Sequence, residues 1–241
     1  AFCWQANAQL TEGFEAGVPP AGWAIFDNGV GLTNSWEANT TSNTGANAAY
    51  VSWENSGSVN EDWLATSLVD LTASTNAQLT FFTRQAFGTD YGSTYEVRVS
   101  TATQTTPGDY TGVALWDETT LNTTATVYEE KTVDLSAYDG QMIYVAFVLT
   151  NDDGDSWYVD DVSIADAPTC TEAVVNSSTV MPDCGNFQFS VDVDVATVGD
   201  GTVITDGLGG SFAVVAGIVT AGPYATGAPV TLTVEHSDAA C

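Results

Sequence analysis

Between Ser156 and Asp166 the chain reads SWYVDDVSIAD, following the acidic loop NDDGD (151–155), and no other run restricts the fold so strongly. Its residues are those of a strand, yet it carries two adjacent carboxylates, Asp160 and Asp161. Strand alternation sends Trp157, Val159 and Asp161 to one face, and Tyr158, Asp160 and Val162 to the other. One carboxylate therefore shares a face with large apolar side chains. A charge there must be paired, protonated or bound to a cation, because burying it bare is costly. The chain has 31 acidic residues against 3 Lys and Arg, namely Arg84, Arg98 and Lys131. A metal is the simplest partner for the buried carboxylate.

The charge balance also narrows the partners. A formal charge of −28 repels nucleic acid and anionic membrane surfaces alike. It suits a secreted chain in a salty, calcium-bearing medium, where counterions relieve self-repulsion. No apolar run approaches the roughly 20 residues of a membrane span, so membrane insertion is not expected. No export signal opens the chain, and the expectation is a mature or excised segment. Four cysteines, Cys3, Cys170, Cys184 and Cys241, stand at segment edges rather than in CxxC pairs. That spacing points to structural disulfides in an oxidising compartment. Three pairings are open. The expectation is Cys184–Cys241, stapling the C-terminal segment, with Cys3–Cys170 closing the N-terminal one.

Strand signals run throughout the chain as short stretches rich in Val, Thr, Tyr, Phe and Trp between Gly, Asn, Asp and Ser. Examples are GWAIFD (22–27), AAYVSWE (48–54), DWLATSLVDL (62–71), AQLTFFTRQAF (77–87), YEVRVSTA (95–102), VYEEKTVDL (127–135) and MIYVAFVLT (142–150). YEVRVS turns Tyr95, Val97 and Val99 inward, whereas MIYVAFVLT is apolar on both faces and reads as a central strand. A helical period is never sustained beyond about two turns, although VDLSAYDG suits a short turn-like helix. Composition shifts near Asp166-Ala167-Pro168. Beyond it, FQFSVDVDVATV (187–198), GTVITDG (201–207), SFAVVAG (211–217) and PVTLTVEHS (229–237) give short strands. The expected fold is all-β: a jelly-roll β-sandwich over 1–166, then a small immunoglobulin-like β-sandwich over 167–241.

Four stretches carry a family resemblance: GFEAGVPPAGWAIFDNG, EDWLATSLVDLT, YEVRVST and TVDLSAYDGQMIYVAFVLTNDDGDSWYVDDVSI. In order and spacing, residues 12–166 resemble the bacterial cleaved-adhesin domain (choice-of-anchor J), a relative of the MAM jelly roll. Residues 168–241 are similar to small repeats that follow such domains in secreted Bacteroidetes proteins. The resemblance implies a secreted or cell-surface sandwich with structural calcium, and an adhesive or accessory role rather than catalysis. Its calcium ligands, the Glu of FE, the Asp after the GW strand and the DD of the last strand, fall on Glu15, Asp27, Asp160 and Asp161. The resemblance prefers Asp160, whereas alternation places Asp161 beside Trp157. A departure follows Asp27: relatives continue with an aspartate-rich loop, and this chain reads Asn28-Gly29-Val30-Gly31.

The oxygen-rich ligand set suits Ca²⁺, which takes six to eight oxygens. NDDGD lacks the EF-hand register and its terminal Glu, and reads as a solvated loop. The single histidine, His236, lies in VEHSD with no HExxH, and no GxSxG is present, so zinc hydrolysis and a serine triad find no residues. With 31 acids, some carboxylate pair meets glycosidase spacing by accident. Trp36 and Trp116, set in polar loops, are the candidate exposed faces for stacking on sugar. The resulting reading is a non-catalytic calcium-stabilised module that recognises an extracellular glycan or protein surface. The alternatives are a repeating subunit of an extracellular filament or adhesin stalk, formed by self-association, and a carboxylate-dependent glycoside hydrolase.

Overall fold

The structure is a computed structural model and describes residues 8–31, 34–168 and 170–236. The chain divides into two compact units, Ala1–Ala167 and Pro168–Cys241. In the first unit the strands are β1 (Leu10–Glu12), β2 (Ala24–Gly29), β3 (Glu37–Asn39), β4 (Ala48–Val51), β5 (Asn60–Ala65) and β6 (Val69–Asp70). They continue as β7 (Ala77–Gln85), β8 (Thr94–Ser100), β9 (Tyr110–Asp117), β10 (Glu129–Asp134), β11 (Met142–Asn151) and β12 (Trp157–Asp166). One sheet runs β10-β7-β12-β4-β3, with β1 also on β12; the other runs β2-β5-β11-β8-β9, with β6 also on β11. The first sheet is called A and the second B.

Alternation explains which side each strand buries. β7 turns Leu79, Phe81 and Thr83 inward and leaves Thr80, Phe82 and Arg84 half-buried outside. β8 buries Tyr95, Val97 and Val99, and β11 lies in the middle of sheet B, as its doubly apolar sequence requires. Trp157 sits at the heart of the core. Its ring centroid lies 5.5 Å from Trp36, 5.3 Å from Tyr95 and 5.9 Å from Phe147.

One edge of β12 is shared by two partners. β4 pairs with Trp157–Val159, and β1 pairs with Val162–Ile164. At the handover the register against β7 shifts between Asp160 and Ser163, and Asp161 takes φ +46°. This β-bulge overturns the simple alternation. Val162 and Ile164 rejoin the core, Asp160 is fully buried on the outer side, and Asp161 is half-exposed. Asp161 therefore does not share the face of Trp157 and Val159.

The second unit holds β13 (Val174–Asp183), β14 (Gln188–Thr197), β15 (Gly201–Thr205), β16 (Ser211–Ala213), β17 (Gly217–Ala225) and β18 (Thr233–His236). They form two three-stranded sheets, β13-β14-β17 and β16-β15-β18. Six described strands are one fewer than the seven of the immunoglobulin constant arrangement. Val193, Val195, Ile204, Val214 and Val219 make its small core. Cys184 lies in the turn between β13 and β14 and is a free, exposed thiol. The expected Cys184–Cys241 bridge is therefore not formed: Cys184 stands reduced and solvent-exposed at the hairpin tip. Cys170 is disulfide-bonded. Cys3 and Cys241, and with them the expected Cys3–Cys170 pairing, lie outside the described residues.

Candidate functional site

Three of the four expected metal ligands meet on one loop. Asp160 Oδ2 accepts the backbone N–H of Asn43 at 2.7 Å and of Thr44 at 3.3 Å, and its Oδ1 accepts that of Asp161 at 2.8 Å. Asp161 accepts the Asn43 side-chain amide at 2.8 Å and the Thr44 hydroxyl at 2.6 Å. Glu15 Oε1 accepts the N–H of Ala46 at 2.9 Å and of Asn47 at 3.2 Å. The loop 42–47 is thus clasped from one side by the segment after β1 and from the other by the β12 bulge. Local sequence sets this up. Phe14 is fully buried edge-on to Trp23, 5.6 Å between centroids, which leaves Glu15 exposed beside it. Gly45, at φ +63°, lies directly against the Glu15 carboxylate, and its left-handed backbone favours glycine.

The clasp gathers three acids around one loop. Burial pushes the Asp160 carboxyl above its usual range, and the charge of Asp161 adds to that push against the loop's N–H groups. None of the three ion pairs formed by described residues involves Glu15, Asp160 or Asp161. The donors present are hard oxygens, the kind Ca²⁺ takes. At present the carboxylates are satisfied by the loop itself. Among the described residues, no group of three Asp, Glu, His or Cys side chains stands ready to hold a metal.

Asp27 does not join the clasp. It stands on β2 opposite Asp62 of β5 in sheet B. Asp62 is 2% exposed, and burial together with the charges of Asp27 and Glu54 pushes its carboxyl up to about 8. Asp27 is raised too, by burial and then by Glu54. Asn60 donates to Asp62 Oδ2 at 3.2 Å, while Asn60 Oδ1 and Asp27 Oδ1 are buried without a partner. Asp27 therefore belongs to a second, separate acidic cluster.

The aromatic expectations need correction. Trp36 is 3% exposed and donates its indole N–H to the Asp62 carbonyl at 3.1 Å. It enters the core because β3 follows directly and turns it inward. Trp116 is half-buried and packs edge-on to Phe81 at 6.0 Å, one residue inside the end of β9. Trp36 thus has no open face, whereas Trp116 keeps part of its surface exposed. A further pair of acids escaped the sequence reading. Asp155 accepts N–H groups of Ala86, Phe87 and Ser156, and Glu118 accepts those of Tyr91 and Ser93. Both are buried, and together they pin the β7–β8 loop. No local pattern separates them from solvated loop acids.

Residues 7–164 match the sequence profile of the Cleaved Adhesin Domain. The chain belongs to the Cleaved Adhesin Domain family. No curated protein matches the chain. Among solved structures, the K1 cleaved adhesin domain of Lys-gingipain from Porphyromonas gingivalis W83 is similar at 23% identity and a TM-score of 0.51. The match covers 66% of this chain and 98% of that one. The K3 cleaved adhesin domain of the same protein gives 23% and 0.50, covering 66% and 99%. Likeness at this identity speaks for fold alone. Membership in the cleaved adhesin family makes the N-terminal unit an adhesion or binding module, and the clasp and bulge described above are features of that unit.

Proposed function

We propose that the chain is an extracellular, non-catalytic adhesion module whose N-terminal unit is stabilised by Ca²⁺ and binds a glycan or protein surface. The observation that carries the reading is the convergence of Glu15, Asp160 and Asp161 on the loop 42–47, with no ion pair to any of them among the described residues. These residues would hold the ion, which supplies the positive charge the clasp lacks. Glycoside hydrolysis is the poorer reading. It needs an acid with a raised pKa open to substrate, and Asp62 is sealed from solvent.

Thermal melting in calcium and in chelator tests this. A ligand that binds only the folded state, at a hundredfold excess over its Kd, adds about 2.7 kcal/mol. For a chain of this size that raises the first unfolding midpoint by roughly 5–10 °C. Asp160→Ala should abolish that response and cost about 1–3 kcal/mol, since it removes the acceptor of three part-buried N–H groups. Equal curves in calcium and chelator would sink the metal assignment.

A second reading, a repeating stalk or filament subunit, draws on β13. All ten of its residues are exposed, Val174, Val180 and Met181 among them, and it pairs only with β14. Such an edge is a template for another strand. Sedimentation at rising concentration should then show assembly, and a monomer throughout would remove this reading.

A further inference from the structure

The outer faces of sheets A and B each carry an arginine over aromatic rings, and they differ in one respect. On sheet B, Arg98 lies 4.8 Å over Trp63 and is closed by Glu61 at 3.2 Å and Glu96 at 2.6 Å. Phe26 and Tyr110 complete the cover, so Trp63 is fully buried and the cluster is sealed. On sheet A, Arg84 lies 5.0 Å over Tyr158 and 6.0 Å from the Tyr128 ring. Among the described residues it forms no ion pair, and its Nε–H is buried without an acceptor. Unlike Arg98, this guanidinium is closed by no carboxylate among the described residues, so its charge is left to a partner outside the sheet.

The register turns this arginine into the centre of a row. Arg84 of β7 is opposite Tyr158 of β12, Tyr158 is opposite Tyr50 of β4, and Tyr50 is opposite Glu37 of β3. Tyr128, just before β10, closes the other end beside Arg84. The row runs from the residue before β10 across β7, β12 and β4 to β3, a length of roughly 19 Å at the usual strand spacing. Its three tyrosines and the arginine are half-buried, and the Tyr50 and Tyr158 rings are 4.6 Å apart. The clasp loop sets one border: the Tyr128 hydroxyl donates to the Thr41 carbonyl at 2.7 Å, two residues before Asn43 enters the clasp.

We infer that this row is the ligand site of the adhesion module and that its ligand is a neutral glycan laid across the strands. The inference rests on the adhesion reading above and gives that reading a face and a chemistry. The C–H face of a sugar packs on tyrosine rings, and its hydroxyls accept from Arg84 and donate to Glu37. A cation is opposed by Arg84 at the centre. A polyanion is opposed by Glu37 at one end, by exposed Glu130 beside the row, and by the charge of −28. A chain with both donors and acceptors and no charge fits every position. The length of the row suits an oligosaccharide rather than one sugar.

Affinity electrophoresis of the full chain in calcium tests this, with gels containing xylan, mixed-linkage β-glucan, galactan or polygalacturonate. Retardation by at least one neutral polymer, and less by polygalacturonate, is expected. Arg84→Gln and Tyr50→Thr should each weaken it about tenfold or more, with melting curves confirming that both fold. Arg98→Gln, on the opposite sheet, should leave it unchanged. Retardation that survives both row variants moves the site elsewhere and overturns the inference, while the adhesion reading stands. Tighter retention by polygalacturonate overturns the neutral chemistry. No retardation of the wild type by any gel overturns the row as a glycan site, and wild-type binding to immobilised extracellular matrix proteins, measured alongside, then decides the broader reading.

Discussion

At the scale of single residues, Asp155 shows what local letters withhold. NDDGD reads as a solvated loop, and Asp152 and Asp153 are indeed exposed. Asp155 is buried because its acceptors are claimed by Ala86 and Phe87, about seventy residues earlier in the chain. Burial, the largest influence, lifts its carboxyl from 3.8 to about 6, against the backbone N–H groups that pull it down. The folded state therefore binds this proton more tightly than the unfolded one. The contribution is full below about pH 4 and is lost as pH rises through about 6, a change of about 3 kcal/mol at most. Urea unfolding of the wild type and Asp155→Asn should show this. The wild type's advantage should shrink as pH rises from about 4 to about 7, and a pH-independent difference would contradict the assignment. The clasp acids were more legible than Asp155, since Glu15, Asp160 and Asp161 came from the family resemblance. Asp27 came from the same source and went elsewhere, because β2 belongs to the other sheet.

At the scale of elements, strands with a strong period were readable and weakly patterned ones were not. β7, β8 and β11 carry clear alternation or continuous apolarity, and their positions follow the sequence closely. β1 and β3 have three residues each, too few for a period to be seen. β9 is mostly exposed or half-buried, with Gly112 inside it, so it lacks an apolar face to read. β13 has the sequence VVNSSTVMPD, and Pro182 is tolerated because the strand lies at an edge. Alternation in β12 failed at the handover from β4 to β1. A bulge there is a property of three strands together, and no single strand's sequence announces it. Trp36 was misread for a similar reason, since polar neighbours in sequence do not reveal that Asp62 offers its indole a carbonyl.

At the scale of the whole molecule, charge governs more than any contact. The three basic residues all lie before residue 132, and residues 168–241 have no Lys or Arg to offset their acids. Self-repulsion in a chain of −28 is relieved by salt, since the Debye length falls from about 30 Å at 0.01 M to about 3 Å at 1 M. In chelator, melting midpoints should therefore rise by several degrees over that range of NaCl, and a flat or falling midpoint would show that the repulsion is already neutralised locally. The pairing of β1 with β12 has a mechanical side. The two strands are antiparallel, with Leu10 against Ile164 and Glu12 against Val162, so the chain enters and leaves the first unit at the same end. Tension on those two ends peels β1 away one hydrogen bond at a time instead of shearing the whole ladder at once. After three residues the tear reaches Glu15 and the acidic bulge. An ion bound there would act as the catch at which an unzipping adhesin stops giving way.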